Sequence, residues 1–99
     1  MSPPDIFKPA ARLEFVEAVA WYENQRPGLG KEFVLEVERA LQRARTDPER
    51  YAVVQQARKI RLRRFSRYCI YFAVKDEAFS ILAVFHSSRD PEQLWRRLK

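Results

Sequence analysis

One cysteine, one histidine and two glycines are all that this 99-residue chain holds of three residue types on which much enzyme chemistry rests. With Cys69 alone, no intrachain disulfide can form. One His and one Cys cannot complete a zinc site, so no metal is expected. Gly28 and Gly30 both fall in Arg26-Pro27-Gly28-Leu29-Gly30, and no glycine-rich phosphate loop exists elsewhere. There is no Ser/His/Asp order with a nucleophile elbow. No cofactor is expected. Apolar runs fall far short of the roughly 20 residues that span a bilayer. Met1-Ser2-Pro3-Pro4-Asp5 has neither a basic nor an apolar leader segment, so the expected location is the cytoplasm, without a membrane partner.

Acidic residues are also scarce in one half. Residues 51–99 hold 11 Lys/Arg against 4 Asp/Glu, whereas residues 1–50 hold 8 against 9. The net charge of +6 therefore sits in the second half. It points to an RNA, a DNA-bound machine or an acidic protein as partner. Otherwise the composition, 46% hydrophobic and 32% charged, is that of one globular domain spanning residues 1–99.

The densest charge is Arg58, Lys59, Arg61, Arg63, Arg64 and Arg67, with no acid among them. Ile60, Leu62 and Phe65 are interleaved, and the apolar segment Tyr68–Val74 follows. Disordered basic tails carry few large apolar residues. A strand holding its cations on one face reads this way, with Ile60 and Leu62 inward and Lys59, Arg61 and Arg63 outward.

The rest of the chain punctuates itself. Asp5–Lys8 is a candidate first strand, and Pro9 suits the first position of a helix running to about Asn24. Its apolar residues Leu13, Val16, Val19 and Ala20, widened by Phe15 and Tyr22, predict a broad buried face. Glu14, Glu17 and Trp21 fall opposite, which makes Trp21 a candidate contact or a half-buried packing residue. After the Pro-Gly break, Phe33, Val37, Ala40, Leu41 and Ala44 predict a second amphipathic helix over 31–45 and hence a helical hairpin. Beyond Thr46-Asp47-Pro48 the period changes to 2 and predicts strands over 59–65, 68–74 and 79–86, the last two joined by the hairpin loop Lys75-Asp76-Glu77-Ala78. Tyr51–Gln56 reads as a loop or an extra edge strand. Asp90, Pro91 and Gln93 supply the start of a last helix, which buries Leu94, Trp95 and Leu98. The order β-α-α-β-β-β-α implies an α+β domain, a helical hairpin packed on one face of a small antiparallel sheet, with part of the basic surface on the other face.

Residues able to carry chemistry collect near the C-terminus. His86 ends the last strand, followed by Ser87, Ser88, Arg89 and Asp90. His86 is either a general base or a residue that hydrogen-bonds the adjoining loop. Arg89 either pairs with Asp90 or contacts a phosphate. Arg61, Arg63 and Arg67 suit phosphates and carboxylates alike. Tyr68 and Tyr71 either stack on bases or pack across strands.

Several segments, taken in order, resemble the RelE/ParE superfamily of toxins from type II toxin–antitoxin modules. They are Ala18-Val19-Ala20-Trp21-Tyr22-Glu23, Arg26 through Phe33, Asp47-Pro48-Glu49-Arg50-Tyr51, Arg63-Arg64-Phe65 leading to Ile70-Tyr71, and Ile81 through His86 to Arg89-Asp90-Pro91 and Trp95. Ser66 stands where the family often has proline. The resemblance implies a cytoplasmic growth inhibitor held in a hetero-oligomer by a cognate antitoxin, whose disordered C-terminal segment folds on the toxin. The antitoxin and the target would meet Arg58, Lys59, Arg61, Arg63, Arg64, Arg67, Trp21, Trp95 and Arg96. RelE-like members cut messenger RNA on the ribosome, a role that would fall here to His86, Arg89, Arg61 and Arg63. ParE-like members lack that catalytic set and poison DNA gyrase. His86 with Arg89-Asp90-Pro91, and the absence of any Tyr after Tyr71, resemble the ParE-like branch more. A non-toxic RNA- or protein-binding module on the same fold is the remaining class.

Overall fold

Helix α2, Leu29–Thr46, buries Phe33, Val37, Ala40, Leu41 and Ala44, the stripe that its spacing predicts. The computed structural model, which describes residues 5–98, adds two residues at its N-terminal end. Gly28 precedes the helix with φ 89° and offers no side-chain cap. Glu23 supplies one from the preceding helix. Its two carboxylate oxygens accept the Gly28 N–H at 3.1 and 3.0 Å, and Oε1 also accepts the Gly30 N–H at 3.1 Å. A carboxylate there satisfies orphan donors and sits at the positive end of the helix dipole.

Helix α1, Pro9–Gln25, departs from expectation. Its buried residues are Ala11, Ala18 and Tyr22, with Phe15 and Val19 packed beside them. Leu13 and Val16 are 59% and 53% exposed, and Ala20 is exposed with them. The helix is apolar on more than one side, so periodicity alone does not choose a face. The face that wins carries small Ala11 and Ala18, which let the helix approach the sheet, and the large Tyr22 at its end.

A single turn of 3₁₀ helix (Pro48–Arg50) leads into the strands. They are β1 (Asp5–Phe7), β2 (Val53–Val54), β3 (Ala57–Arg61), β4 (Tyr68–Lys75) and β5 (Ala78–His86). The sheet order is β1-β5-β4-β3-β2. β2 through β5 pair antiparallel, but β1 lies parallel to β5, Phe7 opposite Ile81. The sheet is therefore mixed, not antiparallel as expected, because the hairpin carries the chain across the sheet before β2 begins. The basic strand is shorter than predicted: β3 ends at Arg61, and Leu62–Arg67 is a loop. Asp76 and Glu77 turn β4 into β5, both with positive φ (53° and 64°), the conformation that a two-residue hairpin favours. A bulge interrupts the β4–β5 ladder, with Tyr71 opposite Ala83 and Phe72 opposite Ile81, so Leu82 is the extra residue.

Both sheet faces are covered. The hairpin packs on Ile60, Ile70, Phe72, Phe79, Ile81 and Val84. Tyr22, Phe33 and Phe65 close one end of this core, with ring centroids 4.7–5.2 Å apart. On the opposite face Ala57, Tyr71, Ala83 and Phe85 lie under Leu94 and Leu98 of helix α3, Pro91–Leu98. The second face carries part of the basic surface, as expected, through Lys59 and Arg61, but α3 occupies much of it. Asp90 starts α3 by accepting the Glu92 N–H at 3.0 Å. The Gln93 side chain does not return the bond; it accepts from Arg89 at 3.2 Å.

Candidate functional site

Side-chain alternation along β3 sorts the basic segment. Ile60 enters the core under the hairpin, so Lys59 and Arg61 face the α3 side, opposite Tyr71 and Cys69 in register. Arg58 is half-buried and donates to the Tyr51 carbonyl at 2.8 Å. Arg64 reaches back to Glu32 on α2 and lies over the Phe65 ring at 5.1 Å. The bond from Arg64 holds the Glu32 carboxyl below the usual carboxylate range, with Arg26 adding to the effect. Arg61, Arg63 and Arg67 are exposed. On the α3 side, Trp95 is half-buried edge-on to Tyr71, at 6.3 Å, and Arg96 is exposed. Trp21 is 47% exposed on α1.

His86 stands on the other face. It pairs with Tyr68, and its ring meets that tyrosine edge-on at 4.9 Å. Its Nδ1 accepts the Ser88 backbone N–H at 3.0 Å and lies 2.7 Å from Ser88 Oγ. A backbone N–H can only donate, so Nδ1 carries the lone pair and the proton of the neutral ring is on Nε2. The lone pair that a general base would use is engaged by the loop. His86, Tyr68 and Arg89 line a cleft of about 220 Å³ together with Glu14, Glu17 and Trp21. Arg61 and Arg63 do not line it. Burial raises the Tyr68 hydroxyl pKa, helped by Tyr22, Glu17 and Glu14 and opposed by Arg89. Tyr71, buried under α3, is raised likewise.

Arg89 pairs with Glu14, not with Asp90. It also stacks over the Phe85 ring at 4.4 Å. Glu14 was expected on the solvent side of α1, yet its side chain is only 11% exposed. It accepts the Val84 N–H at 3.0 Å and two bonds from Arg97 at 2.7 and 3.2 Å. Arg97 also donates to the Leu82 carbonyl at 2.7 Å. These contacts follow from the topology. β1 covers β5 only as far as Ile81, so the outer edge of β5 continues without a strand, and Glu14 and Arg97 satisfy its backbone groups instead. Nothing in the local sequence marks Glu14 for this role.

A model of the ParE toxin of type II toxin–antitoxin systems (the parDE type) matches residues 6–91. The chain belongs to the ParE toxin family. A solved structure described as a chromosomal ParDE toxin–antitoxin system from P. aeruginosa superposes with a TM-score of 0.71 over 86% of this chain and 96% of that one. At 14% identity, that likeness speaks for the fold. No curated protein matches the chain. Among the described residues of this ParE-family toxin, no group of His, Cys, Asp and Glu could hold a metal ion, and no helix is long and apolar enough to cross a membrane.

Proposed function

We infer that this chain inhibits growth by binding a protein target, DNA gyrase, in the cytoplasm, and does not cut RNA. One observation carries the choice. His86 and Arg61 lie on opposite faces of the sheet, and Arg89 is tied to Glu14. The acid, base and charge stabilisers of a ribonuclease must converge on one phosphate within hydrogen-bond reach. Here Arg61 and Arg63 do not join the cleft that His86 and Arg89 share, and α3 lies across the face that Arg61 shares. Membership of the ParE family supports gyrase as the target.

The antitoxin is the second partner of this reading. Leu13, Val16 and Ala20 form an exposed apolar line on α1, and exposed apolar lines of this kind mark binding surfaces. A segment that folds on the toxin would cover this line with its apolar residues and meet Arg61, Arg63 and Arg67 with its acids.

Purified toxin is added to a gyrase supercoiling reaction and, separately, to cell-free translation followed by mapping of message ends. The expected result is lost supercoiling with intact message. Normal supercoiling with message cut at ribosome-occupied codons would replace this reading with the ribonuclease one. Changing Leu13 and Val16 to Asp should leave toxicity intact and abolish rescue by co-expressed antitoxin. Rescue that persists would move the antitoxin elsewhere.

A further inference from the structure

A second basic surface lies away from the β3 segment. Arg39 and Arg43 stand one turn apart on α2, and Arg50 ends the 3₁₀ turn beyond it. With Gln42, Thr46 and Asp47 they line an open cleft of about 400 Å³. All three arginines are exposed, and among the described residues no ion pair or side-chain hydrogen bond engages them. Like charges four residues apart destabilise a helix. The helix dipole accounts for a cation in the last turn, such as Arg43, but not for Arg39 a turn earlier or for Arg50 outside the helix.

We propose that Arg39, Arg43 and Arg50 form a binding site for the phosphate backbone of a nucleic acid. Three guanidiniums face one carboxylate, Asp47, so the cleft favours an anion. Guanidinium forks match phosphate oxygens, and Gln42 and Thr46 add neutral polar groups of the kind that contact backbones. The lining has no apolar or aromatic residue. A protein segment would need such an anchor, since binding energy at protein interfaces concentrates in buried aromatic and apolar contacts. The site is independent of which target the toxin acts on.

The test uses the purified full chain and a short fluorescein-labelled DNA duplex of random sequence, with binding followed by anisotropy across a salt series. Each phosphate contact contributes about 0.9 to the slope of log affinity against log salt. Changing Arg39, Arg43 and Arg50 together to Gln should flatten the slope by about 2.7, three contacts at that value. The corresponding triple Lys variant should keep it. A control with Arg12, Lys31 and Lys75 changed to Gln has the same net charge and should keep the wild-type slope. An unchanged slope in the triple Gln variant, or equal flattening in the control, overturns the proposal. So does tighter, arginine-dependent binding of poly-glutamate than of the duplex, which would make the cleft a protein site.

Discussion

Replacing Glu14 tests how the C-terminal helix is held. Its carboxylate takes one backbone N–H and two guanidiniums while almost fully buried. Glu14→Ala leaves the Val84 N–H without its acceptor and both arginines without their carboxylate partner. Breaking a buried charge pair from one side costs about 3–5 kcal/mol. Arg89 and Arg97 are 39% and 26% exposed, so water recovers part of that, and the low end, about 3 kcal/mol, is expected. Glu14→Gln keeps an acceptor for Val84 but loses the charge, and about 1–2 kcal/mol is expected. For a domain of this size each kcal/mol lowers Tm by about 4–8 °C. Glu14→Gln should therefore melt about 4–16 °C below wild type, and Glu14→Ala lower still. Thermal and urea unfolding followed by circular dichroism measure both. A double-mutant cycle with Arg97→Gln should show coupling, since the pair shares two hydrogen bonds. Glu14→Gln within about 0.5 kcal/mol of wild type, the range of ordinary surface changes, would refute the reasoning.

Two further outcomes follow from the fold. A Cβ at Gly30 would lie 2.9 Å from the Val19 carbonyl oxygen, so Gly30→Ala must push α1 and α2 apart; overpacking outweighs the gain in helix propensity, and urea unfolding should show a net loss of about 1 kcal/mol. Tyr22, Tyr68 and Tyr71 all have hydroxyl pKa values raised chiefly by burial, so stability is full below the ordinary phenol value of about 10 and falls as pH rises past it, where the unfolded chain ionises first. Ultraviolet phenolate absorbance should show Tyr22, Tyr68 and Tyr71 ionising late, together with unfolding; ionisation of these three near the ordinary phenol value in the folded protein would contradict their burial.

What could be read before folding depended on how local the deciding interaction is. The α2 stripe, the break at Pro27-Gly28 and the pairing of β4 with β5 as a hairpin are written in neighbouring residues, and they stand as predicted, although Leu29 and Gly30 join the helix. The buried face of α1 was misread because Leu13, Val16 and Ala20 satisfy helical spacing as well as Ala11, Ala18 and Tyr22 do. The choice rests on fit to the sheet. The parallel pairing of β1, and the role of Glu14 as a stand-in for a missing strand, join residues about seventy positions apart. The separation of His86 from Arg61 depends on which way each strand presents its alternate residues, and the extra residue Leu82 shifts that on β5 without any glycine or proline to announce it. The Arg39–Arg43 pair, by contrast, is a local feature, two like charges four residues apart on one helix.

The pairing of β1 with β5 also bears on how the chain is made. The hairpin of α1 and α2 needs only local contacts and can form while the ribosome is still at work. β5, residues 78–86, is the strand on which β1, β4, Glu14 and α3 all depend, and it emerges about seventy residues after β1. Until then the first strand has no neighbour and the apolar side of the hairpin has nothing to lie on. A nascent toxin of this shape exposes apolar surface until β5 is made, and exposed surface of that kind invites proteolysis and aggregation.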